Sequence, residues 1–392
     1  MRGRTTATGT IHGTSPVVAV PLAGASVAIQ AGYDPCSRAP NLGHHPEVTE
    51  RILSVRALNR ALLARQLLLE RVSLPVPDAI EQVGGLQTQY APSGYVGLWT
   101  RLSDFRRDAL TEALEDRSVI QATLLRVTIH MVPRREYWRY ALGVREARRD
   151  QWRRSFGRLT GTTEPEMERA AEEMHAALED GPKTVKELGD LAKGFVGTRG
   201  LWVDLVRVPP SGTWERRKAD RLGLAEDWVG PPDATEAEGL THLVVAYLRA
   251  FGPTTWSEIG SWAGISASAA KSAGASLDLR TFRDDAGRQL FDVQDGLLPD
   301  PDMPAPVRFL PHWDANLLVH ARRTGLLPEP FRPRIFSTKN QFSVGTYLVD
   351  GSVAGAWSLR DGRIVLDPFI ETTAKVQREI DRERQALEAF HG

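Results

Sequence analysis

Gly181-Pro182-Lys183-Thr184-Val185-Lys186-Glu187-Leu188-Gly189-Asp190-Leu191-Ala192 and Gly252-Pro253-Thr254-Thr255-Trp256-Ser257-Glu258-Ile259-Gly260-Ser261-Trp262-Ala263 repeat one pattern, 71 residues apart. Gly, Pro, Thr, Glu, Gly and Ala fall in register. Thr-x-x-Glu is a capping box: the Thr hydroxyl satisfies a free backbone N–H and the Glu reaches back to the cap's own N–H. Gly-Pro ahead of it terminates a preceding helix. Helix, tight turn and short capped helix open a helix-turn-helix unit. Two such units in tandem point to nucleic-acid binding, although the same units also serve in protein–protein contacts.

Reading outward, the first copy opens a unit over about 164–230. Its wing holds Val208-Pro209-Pro210-Ser211-Gly212-Thr213-Trp214, followed by Arg216, Arg217 and Lys218. The second copy opens a unit over about 235–293, with a hairpin from Thr281 to Val293 that turns at Asp285-Ala286-Gly287. Upstream, Ser54 caps a predicted helix to about Glu70. Pro77 opens another that stops at Gly84-Gly85, and a third spans about Arg107 to Glu115. The apolar runs Ala122–Leu125 and Val127–Val132 read as strands. Three helices and a hairpin are the winged-helix order. Residues 134–157 read as one long basic helix, with nine arginines through Arg158 against Glu136, Glu146 and Asp150. That excess favours DNA phosphates over a merely solvated face. Beyond Pro299, Asp350-Gly351 and Asp361-Gly362 are tight-turn dipeptides between β-rich runs and imply a small antiparallel sheet or barrel. A polar helix from about Glu371 to Phe390 closes the chain.

Bulk properties bound these readings. Lys+Arg and Asp+Glu both number 49, so bulk charge alone does not hold this chain to DNA, while a local basic face stays open. One cysteine, Cys36, excludes an internal disulfide and a cysteine-based zinc knuckle. No stretch of about 20 apolar residues spans a membrane. Residues 1–50 lack helical period. Arg2 and Arg4 precede an apolar run as in a secretory signal, but Pro21 and Gly24 interrupt it. A disordered tail, or a start placed too far upstream, is the preferred reading, and a cytoplasmic, nucleoid-associated monomer is expected.

Two constellations carry candidate chemistry. Gln87-Thr88-Gln89 follows Gly84-Gly85 and precedes the Ala91-Pro92-Ser93-Gly94 turn. In an extended segment residues i and i+2 point to one side, so two amides converge on one water. The competing reading is a pair of surface or capping glutamines. Arg126-x-Thr128-x-His130 places three polar side chains on one face of a strand. The plain alternative is a strand whose polar side faces water. His312 and Asp314 flank Trp313, but two residues do not make a metal site. No metal or cofactor is expected.

The run Ser54-Val55-Arg56-Ala57-Leu58-Asn59-Arg60-Ala61-Leu62-Leu63-Ala64-Arg65-Gln66, with Gly85-Leu86-Gln87-Thr88-Gln89, resembles the winged-helix DNA glycosylases. So do Leu125-Arg126-Val127-Thr128-Ile129-His130, Val208–Trp214 and, more loosely, Arg308–Asp314. The resemblance covers about residues 50–370. It implies a mainly α fold with β (α+β): three tandem winged-helix units over 51–160, 161–232 and 233–298, then a β-barrel and terminal helix over 299–392, arranged as a C-shaped cleft for DNA. It implies excision of bulky N7- or N3-alkylated purines from double-stranded DNA, crosslinks included, in repair or self-resistance. Gln87 and Gln89 match the family's Gln-x-Gln catalytic motif, with Thr88 where a hydrophobic residue is usual. Arg126, Thr128, His130, Arg153, Arg154, Arg216, Arg217 and Lys218 are the expected DNA contacts. A non-enzymatic winged-helix transcriptional regulator is the alternative.

The family's usual start falls near Val48-Thr49-Glu50. Deleting residues 1–47 should therefore leave the melting temperature and DNA affinity nearly unchanged; a loss of several degrees would show a packed segment.

Overall fold

The computed structural model describes residues 51–192, 201–336 and 344–392. The expected tail over 1–50 lies outside the described residues. The described residues mix helices with three sheets.

Strand β1 (Ile52–Leu53) leads into helix α1 (Val55–Arg65), and Ser54 caps it by accepting from Ala57 N–H at 3.2 Å. The helix ends at Arg65 rather than near Glu70, because Leu67 turns left-handed. Helix α1 is buried nearly all round. Its apolar residues Leu58, Leu62 and Leu63 enter the core, and so do Asn59, Arg60, Arg65 and Gln66. Each of these four polar side chains is hydrogen-bonded, as burial requires.

Helix α2 (Val76–Gln82) leads through Gly84 and Gly85, at φ 76° and 84°, into β2 (Leu86–Gln87). Both glycines sit in the left-handed region, where a side chain is strained. The expected turn at Ala91–Gly94 is instead the start of helix α3 (Pro92–Trp99), with Pro92 in its first turn, a position where no backbone N–H is missed. Helix α4 (Arg107–Glu115) follows, then the hairpin β3 (Val119–Thr123) and β4 (Ile129–Pro133).

The expected basic helix is α5 (Tyr137–Trp152), continued by a π-turn over Arg153–Gly157 and the short α6 (Arg158–Thr160). It is a core helix: Tyr137, Trp138, Tyr140, Leu142, Val144 and Trp152 are buried. Its arginines turn largely to internal partners. Arg135 bonds Asp78 and Glu81, Arg145 pairs with Asp204 at 2.6 Å, and Arg148 donates to Thr123 O. A count of charges does not reveal such partners.

Helix α7 (Glu164–Leu178) leads to β5 (Lys183–Thr184) and α8 (Val185–Leu188), then β6 (Leu205–Arg207), β7 (Arg221–Leu224) and α9 (Ala225–Val229). Met174, Leu178, Leu188, Leu205 and Leu222 form a small core of their own. The strands join one six-stranded sheet in the order β2-β4-β3-β6-β7-β5. Helix α10 (Glu236–Phe251) packs on α5, and α11 (Trp256–Ala263) and α12 (Ala267–Ala273) precede the hairpin β8 (Leu279–Asp284) and β9 (Gln289–Val293). Strand β1 adds to β8 in parallel, Ile52 opposite Arg283.

The capping boxes differ between the two copies. Thr184 and Glu187 bond reciprocally, Thr184 N–H to Glu187 Oε2 at 2.6 Å and Glu187 N–H to Thr184 Oγ1 at 3.2 Å. In the second copy Thr255 accepts from Glu258 N–H, but Glu258 turns away. Its Oε2 accepts from Thr254 Oγ1 at 2.7 Å and from Arg323 Nε at 2.8 Å. Full boxes also open the preceding helices, at Thr163/Glu166 and Thr235/Glu238.

After β10 (Arg308–Leu310) and the short α13 (Arg332–Ile335) come β11 (Gly345–Val349), β12 (Ser352–Arg360), β13 (Arg363–Pro368) and α14 (Ala374–His391). The expected barrel is, among the described residues, an open antiparallel sheet, β10-β11-β12-β13, with no pairing between its outer strands. Helix α14 packs on β10 and β13 instead of strands closing on each other.

Arg65 joins α1 to the β8–β9 hairpin. Its Nη1 and Nη2 bond Asp292 Oδ1 and Oδ2 at 2.7 and 2.8 Å, and Arg280 shares the same carboxylate. Asp292→Ala leaves two guanidiniums facing a lost partner, one of them fully buried, and should cost about 3–5 kcal/mol. Urea unfolding checks this; a shift under about 1 kcal/mol would show the hairpin is not held by this carboxylate.

Candidate active site

Strand β2 pairs antiparallel with β4, Leu86 opposite Met131 and Gln87 opposite His130. Thr88 N–H extends the ladder to Ile129 O at 2.8 Å. The extended backbone makes side chains alternate. Gln87 and Gln89 therefore share a face with His130, while Thr88 enters the interior, where its Oγ1 accepts from Gln121 Nε2 at 3.1 Å. A hydroxyl is satisfied there, so Thr suits the position although it is polar.

The two amides have fixed orientations. Gln87 Oε1 accepts from Arg126 Nη2 at 2.8 Å. Gln89 Oε1 accepts from Ile129 N–H at 3.2 Å. Both partners are donors only, so each amide oxygen must face its partner. Each NH₂ group, and a second lone pair on each oxygen, is left for a ligand. Gln87 is buried and Gln89 exposed, so the pair runs from the floor of the site to solvent.

The segment Arg126-x-Thr128-x-His130 is not one strand face. Leu125–Val127 form a 3-10 turn with Arg126 and Val127 left-handed, at φ 51° and 59°, and β4 begins only at Ile129. Thr128 Oγ1 closes the turn by donating to Leu125 O at 2.9 Å. The turn brings Arg126 in over Gln87, where Nη1 also donates to Trp262 O. Gly264, at φ 80°, ends α11 and lets this loop approach; a Cβ there would stand 3.3 Å from Arg126 N. Burial lowers the Arg126 guanidinium to about 10, so it stays charged at neutral pH. His130 is buried and lowered to about 3, by burial first and then by the Arg126 charge. Its Nδ1–H donates to Thr128 O at 3.0 Å; a carbonyl only accepts, which sets the tautomer and leaves Nε2 an acceptor. The site thus holds a neutral histidine, two amides and one guanidinium.

Tyr90, next to Gln89, begins an aromatic and basic group that the sequence did not announce. Arg217 Nη1 donates to Tyr90 Oη at 3.2 Å, and its guanidinium lies 5.8 Å from the Trp214 ring. His312 meets Tyr90 edge-on at 5.5 Å and Trp357 at 5.6 Å. Burial lowers the pKa of His312, and His391 is lowered to about 4, by burial first. The sequence names Trp214 and Arg217 as part of a wing and sets His312 aside as no metal site, without linking them to Tyr90.

Among the other predicted contacts, Arg216 and Lys218 pair with Asp220 at 3.7 and 3.0 Å. Arg217 has no carboxylate within ion-pair distance among the described residues. Arg153 is gripped by Glu146, Asp150 and Glu164, which raise its pKa further. Arg154 is exposed and meets Asp150 at 3.4 Å. The fold therefore gathers Gln87, Gln89, Arg126, Thr128 and His130 at one place, with Arg217 joined to it through Tyr90. It links Arg153 and Arg154 to carboxylates of their own neighbourhood.

The model of the DNA glycosylase AlkZ-like family matches residues 80–390. An interstrand DNA cross-link repair glycosylase of Streptomyces sahachiroi is 22% identical over 346 residues, which are 82% of this chain and 92% of that protein. The solved structure of the Streptomyces sahachiroi DNA glycosylase AlkZ superposes with a TM-score of 0.72 at 20% identity, covering 87% of this chain and 97% of that one.

Proposed function

This chain belongs to the AlkZ-like DNA glycosylase family and is a DNA glycosylase, and we propose that it hydrolyses the N-glycosidic bond of bulky N7- or N3-alkylated purines in double-stranded DNA, crosslinks included. Family membership sets aside the reading as a non-enzymatic regulator. The observation that carries the substrate class is the make-up of the Gln87–Gln89 face: two neutral amides beside a neutral histidine and a guanidinium. A purine alkylated at N7 or N3 already carries positive charge and leaves as a neutral base, so the reaction needs no general acid. What remains is to place a water on an oxocarbenium-like sugar; the C–O bond forms as the C–N bond breaks, and the proton the water then sheds passes to bulk solvent. In this reading Gln87 and Gln89 are the catalytic residues and hold that water between them. Amides orient water but are poor bases, so normal purines, whose leaving group is not activated, are spared. The partial exposure of Gln89 supports a site open to bulky adducts that cannot be flipped fully into a closed pocket.

The units over 51–160, 161–232 and 233–298 are read as tandem winged helices. With the segment 299–392 they are proposed to form a C-shaped cleft, in a monomer acting in the nucleoid. Among the described residues no helix is long and apolar enough to cross a membrane. Arg217, with Arg154, Arg216 and Lys218, is the preferred phosphate-contacting set. Arg153, held by three carboxylates, is the weakest member of the original group.

Single-turnover excision of an N7-alkylguanine duplex tests the assignment. Gln87→Ala and Gln89→Ala should each slow excision on the order of 10²-fold, with DNA affinity intact. The double variant should be little worse than the slower single one, because the pair acts as a unit. Wild-type rates in both single variants would contradict the catalytic reading.

The pH–rate profile follows from the same groups. His130 stays neutral down to about 3, so it gains no proton across the working range, and Arg126 loses its proton only near 10. Excision should be flat from about pH 5 to pH 9, and unchanged in excess EDTA. A limb near pH 6–7 would identify a titrating base that this account lacks.

A further inference from the structure

Arg126 carries two costs that no ion pair offsets. Its backbone is left-handed, at φ 51° and ψ 27°, a region that non-glycine residues seldom occupy. Its guanidinium is half-buried, yet no carboxylate among the described residues stands within ion-pair distance. Its hydrogen bonds go to the backbone of Trp262 and to Gln87 Oε1, the latter over 2.8 Å. A residue held at such expense against one amide oxygen has its role in that contact.

We propose that Arg126 is a positioning residue that locks the Gln87 amide in the orientation that receives the nucleophilic water. The inference rests on the reading of Gln87 as catalytic. The terminal torsion of glutamine is broad and nearly two-fold, so a free Gln87 samples both amide flips. A guanidinium offers donors and no acceptor, so only the flip with Oε1 toward Arg126 is compatible with the contact. The Ile129 N–H does the same for Gln89 from the backbone. The two amides are thus pinned by matching chemistry, one by the main chain and one by Arg126. Lysine carries the charge but not the planar fork that reaches Trp262 O and Gln87 at once, so it replaces arginine incompletely.

The test is a double-mutant cycle in the full-length protein, read as single-turnover excision at saturating enzyme on an N7-alkylguanine duplex. Arg126→Gly is the principal variant, because glycine accepts the left-handed backbone without strain. Arg126→Lys is the second and keeps the charge. Arg126→Gly should slow excision roughly 10- to 100-fold while its affinity for undamaged duplex stays within about threefold. In the Gln87→Ala background the same change should cost less than about threefold, since there is no amide left to orient. Arg126→Lys should recover part of the rate, and added guanidinium ion should rescue Arg126→Gly but not Gln87→Ala. Two results overturn the inference while leaving Gln87 catalytic: full multiplication of the two losses, or an unchanged saturated rate with weaker binding and a shallower salt dependence, the mark of a direct phosphate contact. A wild-type rate in Gln87→Ala would instead overturn the catalytic reading itself, and this inference with it.

Discussion

The buried polar face of α1 is the constraint on which the remaining elements are hung. Arg65 grips Asp292 of the β8–β9 hairpin. Asn59 Nδ2 donates to Thr324 O and Gly351 O, and Arg60 pairs with Asp350, so the same helix holds the C-terminal sheet. Gln66 Nε2 donates to Val83 O and to Ala250 O, at 3.1 and 3.0 Å. That last pair fixes the chain just before Gly84-Gly85 and against the end of α10. Strand β2 leaves from that anchored point, so the direction in which Gln87 and Gln89 face is set from the helix side. Three polar residues inside one helix, and a fourth at its C-cap, are expensive to bury, and each is satisfied by a segment outside the helix.

From there the site follows with few parts. The β2–β4 ladder supplies the alternation that puts both amides and His130 on one side and Thr88 on the other. Arg126 and Ile129 N–H supply donors that set the amide flips. Burial keeps His130 from competing as an acid. On the proposed reading, a site of this composition orients a nucleophile without supplying a proton to the leaving base, in keeping with a substrate whose base is already cationic.

Much of this was legible where chemistry is local. Ser54, Thr184 and the Gly84-Gly85 stop declare themselves through capping and φ preferences, and Asp350-Gly351 and Asp361-Gly362 do take left-handed turns. The short strand carrying Gln87 follows directly on the Gly84-Gly85 stop. What escaped was decided by distant partners. Glu258 has the spacing of a capping box but turns to Arg323, which lies 65 residues on. Arg135, just before α5, and Arg145 within it look like part of a phosphate-binding face until Asp78, Glu81 and Asp204 are seen beside them. Pro92 and Gly94 read as a turn because the same residues open helix α3. Barrel closure is a pairing between outer strands that turn dipeptides do not specify, and α14 covers the sheet instead. The left-handed Arg126 had no signal in the sequence, since its approach depends on Gly264 at the end of α11, over a hundred residues later.

On the proposed reading, Gln87 and Gln89 share one water at the reacting sugar. A crystal structure with duplex DNA carrying a cationic iminosugar in place of the damaged nucleotide tests it most directly, since that group mimics the oxocarbenium ion. The account predicts one ordered water within hydrogen-bond distance of both amides and facing the anomeric position, with Gln87 Oε1 still on Arg126. A nucleophilic water held by other residues, with the two glutamines turned to the DNA backbone or to each other, would contradict it.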